Sequence, residues 1–118
     1  MSDTRRLCYA CDVKDDPDLI AEYKKWHAPG GPPAGVNRSI RNAGIEALEI
    51  YQIGNRLFMI MEVNKTFEPA AKAAADASDP DVQAWETLMW KFQQELPWAA
   101  PGEKWMPLEK IYALADQP

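Results

Sequence analysis

The single histidine of this 118-residue chain stands in the run Glu22-Tyr23-Lys24-Lys25-Trp26-His27, four positions after a tyrosine. On a helix, residues i and i+4 share a face, one above the other, so Tyr23 and His27 bring a phenol and an imidazole toward one spot. An imidazole, with an ordinary pKa of about 6.5, serves as acid or base near neutral pH. At about 100° per residue, Leu19, Ile20, Tyr23, Trp26 and His27 fall within an arc of roughly 120°, while Ala21, Lys24 and Lys25 point away. His27 therefore sits on the buried edge of an apolar stripe. A core histidine tied to a backbone carbonyl would show the same spacing, so periodicity leaves both roles open.

A second candidate pair is Trp85-Glu86 in a later helical stretch. An indole face beside a carboxylate suits a sugar, whose C–H face stacks on the ring while its hydroxyls donate to the acid. Trp85 also belongs to the packing stripe of its helix. Carboxylates on strands form a third group: Glu49 lies between Leu48 and Ile50, Glu62 ends a strand, and Glu109 and Lys110 lie in the last one. A carboxylate buried without a partner costs several kcal/mol, so such positions either face solvent or serve a site. Glu46, just before its strand, reads as exposed.

Other chemistries find no support. The glycines form neither a dinucleotide fingerprint nor a phosphate loop. Cys8 and Cys11 lie three apart in an alternating stretch, which sets them on opposite faces of a strand. A bridge between them would be strained, and one histidine with no further cysteine supplies too few ligands for zinc. Both read as small buried thiols. A net charge of −5 argues against nucleic acid, whose partners gather Lys and Arg on one face. No apolar stretch approaches 18 residues, so no membrane span is expected. The N-terminal stretch lacks the apolar core of a secretion signal, which points to the cytoplasm. Acid–base chemistry by His27, Tyr23 and carboxylates, with no cofactor, is what the inventory allows.

The elements that must position these groups fit one domain spanning residues 1–118. A first strand, about 6–13, alternates Leu7, Tyr9, Cys11 and Val13 against Cys8, Ala10 and Asp12. Asp16 as N-cap and Pro17 at the first helical position open a helix to about Ala28, stopped by Pro29-Gly30-Gly31-Pro32. Pro33 opens a short second helix that Gly44 ends. Strands 47–53 and 56–63 flank Gly54-Asn55, a two-residue hairpin signal. An alanine-rich helix spans 66–77. Asp79 and Pro80 start another helix whose stripe is Val82, Trp85, Met89, Phe92 and Leu96, ended by Pro97. A loop bearing Trp98 and Trp105, placed where a lid would be, leads to a final strand, 108–114. The order β-α-(α)-β-β-α-(α)-β is the α+β, ferredoxin-like split βαβ arrangement with a four-stranded antiparallel sheet. Helices on one face leave the other uncovered, and a second copy is the simplest cover, giving a homodimer, a dimeric α/β barrel.

In this order the elements resemble the L-rhamnose mutarotase family, which includes an L-fucose branch. The resemblance covers about residues 6–114. It is carried by Glu22 to His27, Gly44-Ile45-Glu46-Ala47-Leu48-Glu49-Ile50-Tyr51, Asn55-Arg56-Leu57-Phe58-Met59-Ile60-Met61-Glu62, Gln83-Ala84-Trp85 and Ile111-Tyr112-Ala113-Leu114. The resemblance implies that His27 is the proton donor, that Tyr23 contacts the sugar, and that Trp85 and Glu86 bind it. It also implies a monosaccharide substrate, with anomers of a 6-deoxy-L-hexose interconverted without a cofactor. The rhamnose branch has a second aromatic where this chain has Glu86 and a tyrosine where it has Leu48, which favours L-fucose here. Glu49 is a further substrate-binding candidate and, with Glu86 and Tyr23, a candidate second acid–base group. Two other readings fit the same elements: another dimeric-barrel enzyme, of the cofactor-free monooxygenase or haem-degrading kind, and a non-catalytic dimer that binds a small ligand.

Overall fold

The structure, a computed structural model, describes residues 4–118; positions 1–3, which open the segment read for a secretion signal, lie outside it. The elements follow in the order β1 (Arg5–Val13), α1 (Pro17–His27), α2 (Ala34–Asn42), β2 (Ile45–Ile53), β3 (Arg56–Val63), α3 (Pro69–Ala77), α4 (Pro80–Met89), β4 (Gln93–Gln94) and β5 (Met106–Pro107). A short 3-10 turn, Leu114–Asp116, closes the chain. The strands form one antiparallel sheet in the order β2-β3-β1-β4, with β5 also on β1. This is the α+β arrangement expected from the order of elements.

Local chemistry explains the helix starts. Asp16 Oδ1 accepts from the amides of Asp18 and Leu19, and Asp79 Oδ1 from those of Asp81 and Val82, each just ahead of a proline at the first helical position. These side chains satisfy amides that the helix itself leaves unpaired. Gly44, with φ +91°, ends the α2 segment, and Gly54, with φ +56°, turns the β2–β3 hairpin. Both conformations are costly for residues bearing a Cβ.

The helices pack on one face of the sheet over two apolar clusters. Val13, Tyr23, Leu57, Met89 and Phe92 form one; Ile45, Met61, Val63 and Phe67 form the other. Cross-strand ion pairs join Asp12 to Arg56 and Arg6 to Glu62, directly opposite one another on β1 and β3. Cys8 and Cys11 are both free thiols. Burial pushes the Cys11 thiol up to about 12, which leaves it protonated and inert.

Three details differ from the sequence expectation. First, α4 ends at Met89 rather than running on to Leu96. The chain turns at Trp90, the Phe92 carbonyl accepts from the Lys14 amide at 2.7 Å, and Gln93-Gln94 pair with Asp12-Val13. Phe92 and Leu96 are buried as the stripe required, but from a turn and from the loop that follows β4. The free edge of β1 satisfies backbone groups that a longer helix would have paired within itself.

Second, no strand spans 108–114. Met106 and Pro107 pair with Ala10 and Tyr9, and the Leu108 amide reaches the Cys8 carbonyl at 2.8 Å. Beyond that the segment leaves the sheet, with Ile111 89% and Leu114 75% exposed. The radius of gyration, 15.2 Å, exceeds the roughly 13.5 Å of a compact chain this long, as a projecting arm requires.

Third, β2 carries a bulge. Ile45 pairs with Val63 and Ala47 with Glu62, so Glu46 is the extra residue. One inserted residue reverses the inward–outward phase of a strand. Ile45 packs inward before the bulge, and Leu48 and Ile50 pack inward after it.

Candidate active site

Tyr23 and His27 leave the C-terminal half of α1 against α4. Their ring centroids lie 4.1 Å apart, and the His27 ring meets the indole of Trp85 edge-on at 5.3 Å. Trp26 closes the same cluster at 6.2 Å from Trp85. Tyr23, His27 and Trp85 wall a cavity of about 440 Å³ between helices and sheet, whose polar lining includes Tyr23, His27, Glu86, Gln93 and Lys104. Leu48, Ile50 and Met59 supply its apolar floor. A mostly apolar hollow of this size with a few convergent polar groups has the character of a small-molecule site. A larger hollow, about 710 Å³, runs beside the start of β1 and the arm, but it holds no histidine and no aromatic wall.

The tautomer of His27 follows from geometry. Its Nδ1 stands 2.7 Å from the Tyr23 carbonyl oxygen. A carbonyl can only accept, so Nδ1 carries the proton, and in the neutral ring Nε2 holds the free lone pair. Burial lowers the His27 pKa below 6.5, opposed in part by that hydrogen bond. The ring is thus neutral at physiological pH and poised as a base. Burial drives Tyr23 the other way, well above the ordinary phenol value, with the hydrogen bond from Gln93 opposing. The phenol stays protonated and is a donor. Tyr23 Oη itself accepts from Gln93 Nε2 at 3.2 Å.

The structure brings four of the five residues singled out from sequence to this one cavity: Tyr23, His27, Trp85 and Glu86. Glu49 is the correction. It is solvent-exposed and does not line the cavity, because the bulge at Glu46 turns its neighbours Leu48 and Ile50 inward instead. Glu62, the other strand acid, pairs with Arg6 at 3.3 Å in the open, and Glu109 and Lys110 are exposed on the arm. The tryptophan-bearing loop divides: Trp105 lines the cavity, whereas Trp98 is 69% exposed and stacks under the Arg56 guanidinium, 5.2 Å away.

Three polar lining residues escaped the sequence reading. Asn37 lies on the short helix α2. Gln93 falls where periodicity extends α4, so its place on a strand beside Tyr23 had no local signal. Lys104 comes from the loop. Its Nζ donates to the Glu86 carbonyl at 3.3 Å and lies 4.7 Å from the Trp90 ring. Burial lowers the Lys104 pKa below 10.5, and the Glu86 charge opposes this.

A neutral imidazole, a buried phenol and a carboxylate beside an indole make an acid–base site of the kind that handles polar, hydroxyl-rich substrates. Comparison with known proteins gives the family. Residues 6–114 match the L-rhamnose mutarotase family, and the chain belongs to that family. It is therefore a sugar mutarotase, an isomerase that interconverts anomers. It is 52% identical over 112 residues to an L-fucose mutarotase of Xanthomonas campestris pv. campestris, covering 95% of this chain and 90% of the relative. A UPF0734 protein of Dictyostelium discoideum is 33% identical over 116 residues, covering 95% and 91%. The crystal structure of an L-rhamnose mutarotase from Formosa agariphila shares the fold with a TM-score of 0.66 at 18% identity, covering 93% of this chain and 98% of that one.

Proposed function

We propose that this chain interconverts the α and β anomers of L-fucose, with His27 as the proton-transferring base and acid. The observation that carries the mechanism is the 2.7 Å contact between His27 Nδ1 and the Tyr23 carbonyl, which leaves Nε2 as the basic nitrogen in a cavity built for a small polar ligand. Nε2 takes the proton of the anomeric hydroxyl. The C1–O5 bond breaks as C1=O1 forms, and O5 gains a proton from a donor on the cavity wall. Tyr23, held protonated by burial, is that donor in this reading. Rotation about C1–C2 then presents the other face of the aldehyde. Ring closure returns both protons, so neither group is consumed.

Trp85 supplies the stacking wall, and Glu86 accepts from sugar hydroxyls. Choice of L-fucose over L-rhamnose rests on the 52% identical relative and on the carboxylate of Glu86, which lines the cavity from its solvent-exposed side and offers a hydroxyl acceptor where an aromatic wall would offer none. The deciding experiment is two-dimensional NMR exchange between the anomeric signals of L-fucose and of L-rhamnose, with and without protein. Enhanced exchange for L-fucose supports the reading. Enhancement for L-rhamnose alone reverses the choice of sugar, and none for either sinks it.

We also propose that residues 1–118 work as one unit in a homodimer. The edge strand β2 exposes Tyr51 and Ile53, and the arm exposes Ile111, Tyr112 and Leu114. An apolar surface of this extent is the kind a second copy buries. The unpaired thiols of Cys8 and Cys11 suit the reducing cytoplasm.

A further inference from the structure

Gln93 sits opposite Val13 in the two-residue ladder between β1 and β4. It is 4% exposed and lines the same cavity as Tyr23 and His27. Its Nε2 donates to Tyr23 Oη at 3.2 Å. Its Oε1 is buried and has no hydrogen-bond partner among the described residues. A buried carbonyl left open destabilises a fold, so the side chain is held here for a reason other than its own satisfaction. A phenol oxygen is both donor and acceptor. When it accepts from an amide N–H, its own proton is not spent on that amide.

We infer that Gln93 is a positioning residue for the reaction: by donating to Tyr23 Oη it aims the phenolic proton at the bound sugar. This deepens the mutarotase reading and rests on it. Packing alone does not choose between the two in-plane orientations of a phenolic O–H, whereas a partner that donates to one side of the oxygen does. β4 exists only where α4 stops at Met89, and that early stop is what brings the amide to Tyr23. Gln93 therefore acts through Tyr23 and touches no reacting atom itself.

A double-mutant cycle tests this, with anomer exchange followed by NMR at several sugar concentrations. Gln93→Met keeps the volume and removes the donor. The expected loss is in turnover more than in KM, roughly three- to tenfold, the worth of one hydrogen bond. Combined with Tyr23→Phe it should cost no more than Tyr23→Phe alone, because both changes break one pathway. Gln93→Glu should be slower still, since a carboxylate would take the phenolic proton for itself. Losses that multiply in the double variant, or a fully active Gln93→Glu, overturn the proposal. A second readout needs neither turnover nor a folded Gln93 variant. In the free protein, the Gln93 side-chain amide protons should shift and exchange faster with water in Tyr23→Phe than in wild type. Unchanged amide signals refute the hydrogen bond even if the enzyme proves active. If wild type exchanges neither sugar, the mutarotase reading fails while the amide result still stands.

Discussion

Replacing His27 by asparagine separates its chemistry from its structural bond. The Asn Nδ2 occupies nearly the place of the imidazole Nδ1, so the donor to the Tyr23 carbonyl, 2.7 Å away in wild type, is retained. The Nε2 lone pair is lost. General acid–base catalysis contributes about 10²–10⁴-fold, so turnover should fall by that factor, about 2.7–5.4 kcal/mol of barrier at 1.36 kcal/mol per decade. Folding should suffer less. The ring gives up edge and tilted contacts with Trp85 at 5.3 Å and Tyr23 at 4.1 Å, a loss of about 1–2 kcal/mol, and a few degrees in Tm. The assay is NMR anomer exchange at equal protein concentration, with circular dichroism to confirm the fold and added imidazole to test for rescue. The wild-type pH profile provides an internal check. Burial lowers the His27 pKa below 6.5, so the base stays active at pH 7 and the rate falls only as pH drops through that lowered value. Stability follows with the same sign. A depressed folded pKa means that the unfolded state binds the proton more readily, so the contribution is full above the unfolded pKa of about 6.5 and is lost on acidification. A folded His27→Asn protein with wild-type exchange would refute the proposed role of Nε2, and a rate that declined on raising pH from 6 to 8 would refute its role as a base.

Glu86→Trp should raise the L-rhamnose to L-fucose rate ratio at least tenfold, because it trades a hydroxyl acceptor for an aromatic wall; competitive exchange in a mixture of both sugars measures it. Arg56→Ala should lower the urea midpoint far more than Arg6→Ala. The first strands the buried Asp12 carboxylate without its two guanidinium bonds of 2.8 and 3.2 Å, while the second only opens a surface pair. Placing aspartate at Ile111 and Leu114, which project from the arm, should convert a dimer to monomers in sedimentation velocity, and an unchanged mass would remove the arm from the interface.

Sequence alone determined the elements governed by neighbours a few residues apart. Asp16-Pro17 and Asp79-Pro80 start helices because the cap and the fixed proline φ act within one turn. Gly54 turns a hairpin because a positive φ is open to it. The four-residue spacing of Tyr23 and His27 placed them on one helix face before any packing was known. Family resemblance added Trp85 and Glu86 to the same site, and the fold brings all four to one cavity.

Tertiary structure decided what depended on distant strands. The bulge at Glu46 forms only because β3 sets the register of β2, and it is this register that sends Glu49 outward. The helical stripe through Phe92 and Leu96 is real as a burial pattern. The open edge of β1 nevertheless captured Gln93-Gln94 as a strand and carried Gln93 to Tyr23. The alternation of 108–114 suits a strand, yet a strand is stable only beside a partner for its N–H and C=O groups, and within one chain that pairing stops at Leu108. Local propensity is written along the chain, whereas register and edge pairing are free-energy comparisons among segments that meet only after folding.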